Sequence, residues 1–175
     1  WLDPALVKKW SRRVAAVVAI LLLLGQAIFL VRGLDASAAW VSGDASSFLE
    51  ASLSATLFYN SGWREPLLPA LTRLVAATGV PELRALRLVT CAGFWLSTLV
   101  LLLVAWRRSG AWSAVLAAGL WGFNSCLLTY ALAGDRSPVN AGLLLLYACL
   151  LFDKAPSRQR TFQLGLVGAL LPLWR

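Results

Sequence analysis

The 175-residue sequence contains no histidine and no methionine, and only 14% of its residues are charged. Without histidine, imidazole acid–base chemistry and histidine metal ligation are excluded for this stretch. A soluble domain carries roughly one charged residue in four, and a disordered chain lacks long apolar runs, so both classes are excluded as well. Cysteine is scarce. Cys91, Cys126 and Cys149 lie singly in apolar runs, with neither disulfide-framework nor metal-ligand spacing, and read as small buried hydrophobes. The chain opens at Trp1 and stops at Arg175 against an apolar run, which reads as a processed or truncated polypeptide.

What is abundant is apolar surface. Hydrophobic residues make up 59% of the chain, the mean hydropathy is +0.73, and there are nine tryptophans. This is the composition of an integral membrane protein, in which indole rings gather at water–lipid boundaries. A bilayer core of about 30 Å needs roughly 20 apolar residues per helix. Uncharged runs of that order predict spans at 14–31, 88–106, 111–133, 137–152 and 161–175. The expectation is an all-α, polytopic membrane protein: one membrane domain over 1–175, about five transmembrane helices, and a long outer loop at 32–87. The first run exceeds the 7–15-residue core of a signal peptide and reads as a retained span. A transporter would need intramembrane charges or broken helices in repeated halves, and the pattern offers neither.

Charge sets the orientation. With the N-terminus inside, the cytoplasmic pieces hold Lys8, Lys9, Arg12, Arg13, Arg107, Arg108, Lys154, Arg158 and Arg160 against only Asp3 and Asp153. The opposite side balances Arg32, Arg64, Arg73, Arg84, Arg87 and Arg136 against Asp35, Asp44, Glu50, Glu65, Glu82 and Asp135. This positive-inside asymmetry predicts a cytoplasmic N-terminus with loop 32–87 outside. It also accounts for the net charge of +8 without a nucleic-acid partner.

The outer loop is patterned. Asp44 can cap a helix whose Leu49, Leu53 and Leu57 share a face, with Ser47 and Glu50 at capping-box spacing. After a break at Asn60–Ser61–Gly62, a second helix is predicted from Pro66. Leu67, Leu71, Leu74 and Val75 would form one face, with Gly79 and Pro81 ending it. The loop therefore reads as two amphipathic helices at the membrane surface. Taken alone, its charges also fit a plain structural account, with Asp44 a cap, Glu50 its box partner and Arg64–Glu65 a solvated pair. Gln26, Asn124 and Asn140, at membrane depth, are expected to bond across helices.

A cytoplasmic N-terminus, one span and a long outer loop with two surface helices resembles the GT-C superfamily of membrane glycosyltransferases, which includes protein O-mannosyltransferases and the aminoarabinose transferase-like enzymes. "WVSGDASSFLEAS" (40–52) places Asp44 shortly after the first span, where that family has a catalytic acid. "REPLLP" (64–69) resembles its proline-containing segment. "LWGFNSCLLTYALAGDRSPVNAGLLLLYACLLF" (120–152) puts Asp135 and Arg136 where a second acidic residue often falls. The resemblance implies transfer of a sugar from a polyprenyl-phosphate donor, with inversion, at the outer face of a membrane, here expected to be the bacterial inner membrane. Asp44 would be the general base. Arg64, Glu65, Arg84, Asp135 and Arg136 would meet the substrates, the arginines facing the leaving phosphate. No cofactor is implied; a divalent metal stays open, since "GDA" replaces the paired acidic motif of some members. The expected partners are membrane lipids, the lipid-linked donor and further membrane subunits. The alternative is a non-catalytic accessory subunit of a larger membrane complex.

Overall fold

Backbone amides have no partner in hydrocarbon except one another, so long uncharged runs must form helices if they enter a bilayer. The computed structural model describes residues 4–36, 67–151 and 158–174, and every regular element among them is an α-helix. The order is α1 (Pro4–Ala36), α2 (Leu67–Ala76), α3 (Glu82–Ser109), α4 (Ala111–Gly122), α5 (Ser125–Leu132), α6 (Ser137–Leu151) and α7 (Arg158–Trp174). By length and composition, Ala5–Leu34 and Glu82–Ser109 can each cross a membrane, and α4 with α5 adds a third crossing if the bent pair counts as one. At 1.5 Å per residue α1 is about 50 Å long and α6 about 22 Å, which separates the long spans from the shorter apolar helices.

α3 is the hub. It packs against α1, α2, α4, α5 and α6. α1 runs antiparallel to it, Ala15 and Ala19 lying by Leu102 and Leu30 and Leu34 by Cys91 and Phe94. Midway, the Trp95 indole N–H donates to the Leu23 carbonyl at 3.0 Å and Gln26 Nε2 to Thr98 Oγ1 at 3.0 Å. Ala15 and Ala19 of α1 meet Ala114, Val115 and Ala118 of α4 around Leu102. Such small residues let helix backbones approach closely where lipid offers no hydrophobic drive. Toward the other end, Leu30 and Leu34 pack with Cys91, Phe94, Leu128 and Ala131. Beyond them, Leu68 of α2 joins Leu86, Val89 and Val139. Trp112 Nε1 donates to Ser11 Oγ at 2.8 Å, tying the starts of α1 and α4 together. Lys8, Lys9, Arg12, Arg13, Arg107 and Arg108 thus share one end of the bundle. The other end carries α2, the first turns of α3 and the α5–α6 joint.

Several sequence expectations change here. The run 111–133 is not one straight span but two helices bent by 53° at Phe123–Asn124. The Asn124 side chain accepts the Leu127 amide at 3.1 Å and so starts a new helix, rather than bonding across helices. Loop 32–87 is shorter than its charges suggested, because α1 continues to Ala36 and α3 begins at Glu82. Arg87, counted as loop, lies inside α3 and is only 3% exposed. Helix α2 matches the second amphipathic segment, but it buries Leu68, Pro69 and Thr72 against the bundle and leaves Leu74 exposed. The first amphipathic segment lies outside the described residues. Of the cysteines, Cys91 is buried, Cys149 half-buried and Cys126 exposed.

Candidate functional site

Asp44, Arg64 and Glu65 lie outside the described residues. Arg84, Asp135 and Arg136 are described, and all three sit at the end of the bundle that carries α2. Their environments differ sharply. Gly134, with φ +81°, turns the chain out of α5 in a conformation that residues with a Cβ rarely adopt. The turn is pinned by the Asp135 amide donating to the Tyr130 carbonyl at 2.9 Å. It delivers the Asp135 side chain, 7% exposed, back onto the start of α6, where Oδ1 accepts the Ser137 amide at 2.7 Å. Asp135 therefore caps the start of α6 from one residue outside it, its oxygen taking the first helical amide while the Arg136 carbonyl takes the first intrahelical bonds. Arg136 is half-buried and its carbonyl accepts the amides of Val139 and Asn140, while Arg84 is exposed on the first turn of α3.

Behind these residues lies a polar layer that sequence reasoning missed. Thr90 is fully buried, and its hydroxyl donates to the Ala131 carbonyl of α5 at 2.8 Å. Cys91 Sγ points at the same carbonyl at 3.5 Å. Arg87 is one turn away. Thr72 Oγ1 on α2 and Asn140 Oδ1 on α6 are buried with no hydrogen-bond partner. A buried, unsatisfied oxygen costs about 1–3 kcal/mol. The available signal was the spacing of Arg87 and Thr90 along an otherwise apolar run, which counting charges as helix boundaries discards.

On the far flank of α3 the helices do not close. α3 and α6 touch where Gly142 meets Ser97: a Cβ at position 142 would overlap the Ser97 Cβ. Below that contact an apolar cavity of about 220 Å³ opens between α3, α6 and α7, bounded by Leu96, Leu101, Trp121, Leu146 and Leu170. Trp121 Nε1 donates to Ser97 Oγ at 3.3 Å, which sets the indole as its back wall. A second cavity of about 340 Å³ shares Val100, Val104 and Leu146 with the first and opens between Arg107, Arg108 and Gln163. The Arg108 guanidinium donates to the Cys149 carbonyl, which holds it at this mouth.

The described residues contain no group of three or more cysteine, aspartate or glutamate side chains arranged to hold a metal ion. Chemically, then, the described part offers a capped carboxylate, arginines at one end, and an apolar slot reaching the arginines of the other. No protein-family model, curated protein or solved structure matches the chain.

Proposed function

We propose that the chain is a GT-C-type glycosyltransferase module of a bacterial inner membrane. It would move a sugar from a polyprenyl-phosphate donor to an acceptor at the outer face. In this reading the bundle makes five crossings, with α4–α5 as one broken span and α6 and α7 as two short ones. The N-terminus is cytoplasmic and residues 37–66 are outside.

One observation supports the reading above the rest: the segregation of the two ends. Lys8, Lys9, Arg12, Arg13, Arg107 and Arg108 gather at one end, joined by the Trp112–Ser11 bond. The segment with Asp44, Arg64 and Glu65 connects α1 to α2 at the other, where Arg84, Asp135 and Arg136 lie. A carboxylate there would meet a donor whose sugar is carried at the membrane surface. In the reaction, Asp44 takes the proton of the acceptor hydroxyl as that oxygen bonds to the sugar C1. The C1–O bond to phosphate breaks with its electron pair going to the phosphate, which arginines meet. A positioned carboxylate contributes about 10²–10⁴-fold to such a step.

The test is transfer from a radiolabelled polyprenyl-phosphate sugar in proteoliposomes holding the full chain. Asp44→Asn is expected to remove at least about a hundredfold of the turnover with insertion unchanged. Undiminished turnover would rule Asp44 out. A second reading, the accessory subunit, is favoured by the engagement of Asp135 as a helix cap. It predicts no turnover in any arrangement and co-purification of a partner membrane protein.

A further inference from the structure

The slot beside α3 runs from Leu67 and Val139, at the end that carries α2, down to Arg107 and Arg108 at the other, and none of the residues assigned to the proposed transfer site lines it. From Gly93 to Val104 its wall follows about 17 Å of helix, close to half of a 30 Å bilayer core, which is the depth of one leaflet. The upper part is lined by apolar side chains, with Ser97 engaged by Trp121. Water has too few polar partners there, and a void would forfeit the contacts of its lining. α3 and α6 already touch at Gly142 and Ser97, which leaves no room for a helix about 10 Å across to lie between them. A single hydrocarbon chain is the occupant whose width suits. The lower mouth then chooses the headgroup. Arg107 and Arg108 flank it with Gln163 opposite, and the described residues at this end include Lys8, Lys9, Arg12 and Arg13 but no carboxylate.

We infer that this slot is a binding site for an anionic phospholipid of the leaflet at the basic end. One acyl chain lies along α3 and α6, and the phosphate sits between Arg107 and Arg108. Guanidinium forks match phosphate oxygens in pairs, so the site is selective for charge as well as fitted to a chain. The lipid completes the packing that the helices leave open and fastens the α3–α4 turn to the membrane surface.

Native mass spectrometry of the full chain, titrated with phosphatidylglycerol or phosphatidylcholine in detergent, tests this. The wild type is expected to retain one phosphatidylglycerol at least about tenfold better than phosphatidylcholine. Replacing both arginines, Arg107→Gln with Arg108→Gln, should weaken phosphatidylglycerol by about thirtyfold, whereas the double lysine variant keeps most of it. Arg12→Gln with Arg13→Gln, at the same end but off the slot, should leave binding unchanged. Val100→Trp, which fills the channel where the two cavities meet, should abolish retention of both lipids without lowering resistance to unfolding. Equal retention of the two lipids, or wild-type retention by the double glutamine variant, would overturn the site. So would a stoichiometric polypeptide cross-linked from position 100.

Discussion

The two flanks of α3 solve the same packing problem in opposite ways. Toward α1 and α4 the surface is built from Ala15, Ala19, Ala114 and Ala118, and the backbones come close enough for Gln26 to reach Thr98 and for the Trp95 indole to reach the Leu23 carbonyl. Toward α6 and α7, among the described residues, the close approach is at Gly142 and Ser97; past it, branched residues hold the helices apart and leave the slot. In lipid, apolar area alone does not drive helices together, so residue size decides where they touch. One flank is finished by protein. The other needs a hydrocarbon chain.

The sharpest way to break this comparison is to enlarge the closed flank. Ala118→Leu adds three carbons at a position only 3% exposed, facing α1 across Ala15 and Ala19. Overpacking of this kind is expected to cost about 3 kcal/mol, read as a lower midpoint in SDS-induced unfolding from mixed micelles. An unchanged midpoint would mean the flank is not closed. Next in size is Gly142→Ala. Its Cβ would overlap Ser97, whose Cβ is fixed to the α3 backbone, so α6 must move away. The expected loss is about 2 kcal/mol. If this variant equals the wild type, the α3–α6 contact is looser than the geometry says.

A smaller effect separates the capping role of Asp135 from a chemical one. Asp135→Ala removes the acceptor of the Ser137 amide and should cost about 1 kcal/mol, whereas Asp135→Asn keeps a good cap and should cost a few tenths. Retained transfer in the asparagine variant would confirm the cap as its whole contribution. Loss of transfer at wild-type stability would return Asp135 to the substrate.

The long helices were legible from the sequence because an uncharged run of eighteen or more residues leaves the backbone no other choice in lipid. Their ends were not. Arg32 and Arg87 were counted as boundaries and Glu82 and Arg84 as loop, yet a helix continues past the apolar run wherever its charges reach water or a buried polar partner. The bend at Asn124 was written in plain view, as an asparagine followed by serine within an uncharged stretch, but hydropathy is blind to capping. Asp135 was singled out as a site residue, while the two-residue spacing to Ser137, which signals its bond to that amide, went unread. The slot was beyond reach: it depends on which faces of α3, α6 and α7 meet, and no single run of residues states that.

The mildest prediction bears most directly on the open flank. Val100 lines both cavities, so Val100→Leu places its extra methylene into space that already exists. Leucine also pays less than valine in rotamer freedom within a helix. The two effects point the same way, and the unfolding midpoint should stay within about 0.5 kcal/mol of the wild type, against the loss of about 3 kcal/mol expected for enlarging Ala118. Should Val100→Leu prove as damaging as Ala118→Leu, the flank would be closed in the membrane. The distinction between a side finished by protein and a side finished by lipid would then fall with it.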